Sequence, residues 1–171
     1  MKHAAAKLSI GSNLAQIAWV VKDIETALRF FRGAMGVKDF SKVATIRAKD
    51  YDGTYYGQPS DGESLVSMAY SGGTFIELIQ PTSGHSVFHD WLNKNPGGGV
   101  QHVAYSLPIA DFDKVISQLT DEGYPIISTF DTPIAKIFFF DTYKDLGVAT
   151  EIMGITKEGE VVVAKMKSGA Y

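Results

Sequence analysis

The strongest constraint on this 171-residue chain is an internal repeat. Gln16-Ile-Ala-Trp-Val and His102-Val-Ala-Tyr-Ser each open with a polar residue, then place Ala two positions on and an aromatic three positions on. Phe75-Ile-Glu77-Leu-Ile and Ala149-Thr-Glu151-Ile-Met each set one carboxylate inside an apolar closing run. Repeats of this size are duplicated supersecondary units whose apolar faces are buried jointly. The paired markers stand 61 positions apart in the first half and 49 in the second, a surplus of 12. That surplus is about the size of the Asp-, Gly- and Tyr-rich run 50–63, so the halves differ mainly by one insertion.

Hydrophobic periodicity predicts strand, helix and three strands, twice over. The first half reads as a strand over 14–21, a helix over 24–35 with Asp23 as N-cap and Gly36 as its stop, a strand over 37–48, and a loop over 50–63. A hairpin of 64–70 and 74–80 then turns at Ser71-Gly72-Gly73. A short amphipathic helix over 84–94 ends at Asn95-Pro96-Gly97-Gly98-Gly99. The second half reads as a strand over 100–107, a helix over 111–122, and strands over 125–130, 134–140 and 147–153. Val161-Val162-Val163 predicts an edge strand in the tail. The organisation is an N-terminal extension 1–13, one domain over 14–154 (module 1 14–80, linker helix 84–95, module 2 100–154) and a C-terminal tail 155–171.

Composition removes several classes of function. Lys and Arg number 16 against 19 Asp and Glu, a net charge of −3, with no block of like charge to meet nucleic acid or an anionic membrane. The absence of cysteine excludes disulfide scaffolds, thiolate metal sites, iron–sulfur clusters and cysteine nucleophiles. No apolar run approaches the roughly 18 residues of a membrane span. Met1 to Lys7 reads as a frayed terminus rather than a signal peptide, and a cytoplasmic protein is the expectation.

Four polar residues stand apart. Strand alternation puts Gln16 with Ala18 and Val20, and His102 with Ala104 and Ser106, while Ile17, Trp19, Val103 and Tyr105 face the other way. Glu77 shares its face with Phe75 and Ile79, and Glu151 with Ala149 and Met153. A single strand Glu is ordinarily just solvated. Four polar residues at equivalent places in a twofold repeat, among apolar neighbours and without Lys or Arg in the strand cores, point instead to a shared cation. One imidazole, one amide oxygen and two carboxylates carry the charge that balances a divalent ion and leave coordination positions free. His85 and His89 stand i, i+4 but lack a Glu at position 86, and read as a solvated helix face. Phe138-Phe-Phe140 reads as core and dimer-face packing. The run 50–63 is long enough for a lid over substrate, or equally for a mobile surface loop.

These stretches resemble the vicinal oxygen chelate (VOC) superfamily, the group of glyoxalase I, methylmalonyl-CoA epimerase, bleomycin- and fosfomycin-resistance proteins and extradiol dioxygenases. The likeness covers about residues 14–154. It is most specific in Phe75-Ile-Glu-Leu-Ile-Gln-Pro followed by Phe88-His-Asp-Trp-Leu-Asn-Lys-Asn-Pro-Gly-Gly-Gly-Val-Gln-His-Val-Ala-Tyr, and in Phe140-Asp-Thr-Tyr-Lys-Asp-Leu-Gly-Val-Ala-Thr-Glu151. The resemblance implies an α+β fold of two tandem βαβββ modules forming an open, cup-shaped mixed sheet around one metal ion. It implies Gln16, Glu77, His102 and Glu151 as ligands of a divalent cation (Zn, Ni, Co, Mn or Fe). Gln at position 16 is similar to glyoxalase I, whereas the linker is similar to the epimerases. The epimerases' separate base glutamate has no counterpart in register, Asp61 being the nearest acid.

The activity expected is that of an isomerase, epimerase or lyase that removes a proton next to a carbonyl, with the cation stabilising the enolate. Glu151 is the first candidate base and Glu77 the second. Two alternatives are an extradiol-type dioxygenase, which ordinarily presents two His and one carboxylate, and a non-catalytic drug- or metabolite-binding protein. The expected partner is a small-molecule substrate, with neither nucleic acid nor membrane, and by analogy a homodimer forms. With three arginines only (Arg29, Arg32 and Arg47), no large anion-binding cluster is evident, and a coenzyme A thioester, a glutathione adduct or a small oxo-acid are all open as substrates.

Overall fold

The computed structural model describes residues 9–11 and 13–170, so the frayed terminus expected over 1–7 lies outside the described residues. Module 1 contains β1 (Leu14–Val20), α1 (Ile24–Gly33), β2 (Ala44–Arg47), a 3₁₀ turn (Ala48–Tyr51), β3 (Thr54–Tyr55), β4 (Gln58–Pro59), β5 (Glu63–Ser71) and β6 (Thr74–Ser83). After α2 (Val87–Lys94), module 2 contains β7 (Gly99–Pro108), α3 (Ile109–Asp121), β8 (Ile126–Asp131), β9 (Ala135–Phe140), α4 (Tyr143–Leu146) and β10 (Ala149–Ile155), and α5 (Lys157–Lys167) follows.

All ten strands form one mixed sheet in the order β2-β5-β6-β1-β7-β10-β9-β8-β3-β4. The centre of the sheet is an antiparallel β1–β7 pair. Each of those strands takes the last strand of its own module as a parallel neighbour, β6 beside β1 and β10 beside β7. A pseudo-twofold axis therefore runs between β1 and β7. The cores repeat with it: Ile24 and Leu28 of α1 pack on Leu78, and Phe112 and Val115 of α3 pack on Ile152, on the convex side. α1 starts where its sequence predicts, with the Asp23 carboxylate accepting from the Glu25 and Thr26 amides. A third cluster fills the concave floor, where Phe88 of α2 meets Ala18, Ile79, Phe139 and Ala149.

Three expectations are corrected. The strand over 37–48 shrinks to Ala44–Arg47, because the Ser41 hydroxyl accepts from the Met68 amide and a β5 ladder bond is replaced by a side chain. The tail is a helix, not an edge strand. Thr156 caps α5 by accepting from the Gly159 amide, with Glu158 and Glu160 in the first turn and Lys165 and Lys167 in the last. Cap and dipole terms of this kind outweigh the weak β preference of three valines.

The run 50–63 is not a free loop, and its Tyr51 lines the cavity described below. It leaves β2 at one end of the sheet and reaches β8 at the other, where β3 pairs with Thr129 and Ser128. The insertion thus stitches the two ends of the curled sheet together. Ser128 donates to the Thr54 carbonyl, the Tyr56 amide donates to the Ile127 carbonyl, and the Tyr55 hydroxyl donates to Asp90 of α2 at 2.7 Å. Tyr55 is held well above its ordinary pKa, first by burial and then by the Asp90 carboxylate. Tyr55→Phe is expected to lower unfolding free energy by about 1 kcal/mol in urea melts, as a half-buried bond to a charged acceptor does. Asp90→Asn combined with it should cost less than the two changes summed.

Candidate functional site

The sheet register brings the four polar residues together. Across the central pair, Ala18 faces His102 and Gln16 faces Ala104. On the outer sides, β6 sets Glu77 beside Ala18, and β10 sets Glu151 beside Ala104. Ala18 and Ala104 are small and fully buried, so the longer side chains close over them. Gln16 Nε2 lies 2.8 Å from Glu77 Oε2, 3.1 Å from Glu151 Oε2 and 3.1 Å from His102 Nε2. His102 Nε2 lies 3.0 Å from Glu151 Oε2 and 3.4 Å from Glu77 Oε2. His102 is fully buried, Gln16 and Glu151 nearly so, and the Glu77 side chain keeps 14% of its surface.

The two carboxylates share Gln16 and His102 as partners. Burial pushes the Glu151 carboxyl above its ordinary value, His102 pulls against it, and Glu77 adds a smaller push upward. Burial alone would lower His102, but Glu151 and Glu77 more than offset it and raise the imidazole to about 9. The Gln16 amide has two hydrogens for the two carboxylates within 3.1 Å, and a protonated His102 Nε2 donates to Glu151 beside it, so without a cation the cluster is held by the amide and the imidazolium. Turned end for end, the same amide presents its oxygen, which suits a cation. First-row divalent ions take N and O ligands at about 2.0–2.2 Å, so neighbouring ligands stand about 3 Å apart. The four side chains have that spacing and donor chemistry, and a divalent cation fits them. Among the described residues no group of three His, Cys, Asp or Glu side chains is arranged to hold a metal ion, so an ion here would need the Gln16 oxygen and a small opening of the four side chains.

A second layer escaped the sequence reading. His102 Nδ1 lies 2.6 Å from Gln101 Oε1, and Gln101 Nε2 donates to the Tyr143 hydroxyl at 2.5 Å. This fixes Nδ1 as the donor and leaves Nε2 for the cluster. Strict alternation would send Gln101 to the opposite face from His102. Instead β1 pairs Ala18 with His102 and Trp19 with Val100, so Gln101 is the extra residue of a β-bulge, and Gln101 and His102 are both fully buried. No sequence signal announces that bulge.

Above the cluster the cup holds a cavity of about 1080 Å³, into which Glu77 and Glu151 both project from the floor. Phe139 sits edge-on to His102 with ring centres 5.0 Å apart, while Phe140 faces away into the α3 core. His85 and His89 take separate partners: His85 Nε2 is 2.8 Å from Asp90, and His89 Nδ1 is 2.9 Å from the Ser86 hydroxyl. Only His85 is exposed; His89 is half-buried. Asp61 accepts from the His85 amide, a structural bond away from the cavity.

Two βαβββ halves curled about four inward polar side chains define a known class of protein. The model of the Glyoxalase/Bleomycin resistance protein/Dioxygenase superfamily matches residues 15–139, and the chain belongs to that family. An ethylmalonyl-CoA/methylmalonyl-CoA epimerase of Cereibacter sphaeroides is 24% identical over 121 residues, covering 71% of this chain and 78% of that protein. Among solved structures, the methylmalonyl-CoA epimerase from Mycobacterium tuberculosis superposes with a TM-score of 0.63 at 18% identity, over 93% of this chain and 97% of that one. A hypothetical protein from Bacillus halodurans gives 0.61 at 19% identity, over 82% and 92%. The curled mixed sheet is thus the glyoxalase-like fold. No helix among the described residues is long and apolar enough to cross a membrane.

Proposed function

We propose that the protein is a divalent-metal-dependent isomerase, epimerase or lyase that removes a proton next to a carbonyl. The observation that carries this reading is the convergence of both carboxylates, Glu77 and Glu151, within 3.4 Å of Gln16 Nε2 and of His102 Nε2 at the floor of an apolar cup. These four residues would hold the cation. When bound, it supplies an electrophile that polarises the carbonyl and neutralises the charge growing on its oxygen. The chain's own groups do the rest. Glu151, whose proton affinity burial has raised, takes the proton. Glu77 approaches from the other side of the pseudo-twofold axis and is more open to the cavity, so it can return a proton to the opposite face of the substrate. The Gln101 side-chain oxygen holds the His102 ring in place, and the apolar walls keep water from the carbanion. The related epimerase supports a reaction of this kind. A single imidazole among the four is one fewer than non-haem iron oxygenases present, which weighs against dioxygenase chemistry.

The test is cation stoichiometry. Chelator-stripped protein titrated with Zn²⁺, Ni²⁺, Co²⁺ or Mn²⁺ in a calorimeter should take up about one ion per chain. His102→Ala should weaken the best of them by about a hundredfold or more, beyond what loss of an outer-shell partner costs. Absence of stoichiometric binding by any of the four ions would overturn the reading.

A further inference from the structure

We propose that the cup admits a largely apolar, ring-bearing small molecule with at most one negative charge, and that α5 is the wall that selects it. This rests on the cup being the functional site, and it deepens the reading above by naming the class of substrate.

α5 crosses the mouth of the cup and is tied down on both sides. At its start, the Thr156 hydroxyl donates to the Pro133 carbonyl at 2.9 Å and the Thr156 amide to the Ile134 carbonyl at 3.1 Å. Gly159 then lies so close that an added Cβ would meet the Ile134 carbonyl oxygen at 2.0 Å, so only glycine allows this approach to the β8–β9 turn. At its end, Lys167 Nζ stands 5.6 Å from the centre of the Tyr70 ring on β5. Between these ties Val163, Ala164 and Met166 face the cavity. The walls below them carry Met68, Phe75, Phe130, Phe139 and Met153. Flat aromatic faces and adaptable thioethers suit a planar apolar guest.

Charge sharpens the choice. Among the described residues lining the cavity, Lys167 is the one Lys or Arg, against Glu158 and Glu160 of the same helix, whose Lys157 and Lys165 do not line it. A polyphosphorylated carrier such as coenzyme A needs several cations to replace its hydration and would meet a single one in the lining. A neutral or singly charged guest does not. The substrate class of the related epimerase is therefore a poor match for this cavity, although the floor suits the same kind of proton transfer.

The probe is 1-anilinonaphthalene-8-sulfonate, a two-ring monoanion with an anilino ring, followed by its fluorescence on chelator-treated full-length protein. One dye per chain is expected. 1-Naphthaleneacetate should displace it, and coenzyme A at millimolar concentration should not. Met166→Asp should weaken dye binding by about tenfold or more, because it sets a charge on the inner face of α5. Val161→Asp, on the exposed outer face of the same helix, should leave it unchanged. Melting curves of both variants show whether α5 and the cup stay folded. Displacement by submillimolar coenzyme A, or an affinity that Met166→Asp does not move in a folded variant, overturns the proposal. No cation is needed in this assay, so it fails or succeeds independently of the metal titration.

Discussion

Glu151→Gln is expected to lower proton abstraction by about two to four orders of magnitude, the usual yield of a positioned general base. The readout is deuterium incorporation from D₂O next to the carbonyl across a panel of aryl-substituted oxo compounds, at saturating cation so that lost affinity does not mask lost turnover. Glutamine keeps the length and one oxygen of the side chain, and Glu151 is buried against His102 at 3.0 Å, so the shape of the floor survives. The same change should cost the metal-free protein stability near neutral pH, because it takes from the buried His102 the nearer of its two carboxylates and breaks a buried pair. A variant that still melts cooperatively above the assay temperature and still takes up one cation has lost its chemistry and not its fold. Full deuterium uptake by the variant would remove Glu151 from the role of base and leave Glu77 as the remaining candidate.

The site was legible for a physical reason that does not extend to the whole chain. Gln16, Glu77, His102 and Glu151 lie on strands with a period of two, each flanked on the same face by small or apolar residues. The repeat turns four ordinary polar residues into one coincidence. The pairing of β1 with β7 then follows from symmetry, and the register of Ala18 against His102 does what the alternation implies. What could not be read depends on exceptions to period two or on contacts distant in sequence. Gln101 reaches His102 only because a bulge breaks the alternation. The 50–63 run has the composition of a loop, yet its role is set by an edge of β8 some 75 residues away, where Thr54 meets Thr129. The hairpin turn there even holds Tyr56 in the left-handed region at φ 47°, a conformation local preference would not choose. In α5 the valine run masked a helix whose capping residue, Thr156, lies five positions upstream of Val161.

The pH dependence of stability should reverse sign when a cation is present. In metal-free protein His102 is raised from an ordinary 6.5 to about 9, so between these values the folded state holds a proton that the unfolded chain releases. The stabilisation is complete below about pH 6.5 and lost as pH rises through 9. The slope is at most about 1.4 kcal/mol per pH unit for one proton, which sums to about 3 kcal/mol over the window. Glu151, also raised, acts in the same sense from its lower ordinary value, so it does not cancel the trend. A bound divalent ion requires His102 Nε2 and both carboxylates free of protons, so its affinity grows with pH across the same window. Folded protein then gains stability through mass action where the metal-free form loses it. Urea melts at several pH values from 6.5 to 9, in excess chelator and in excess Zn²⁺ or Ni²⁺, should give curves that diverge as pH rises. Parallel curves would show that His102 and the two carboxylates do not exchange protons for a common ion, and the proposed centre would fall even if some metal were found in the purified protein.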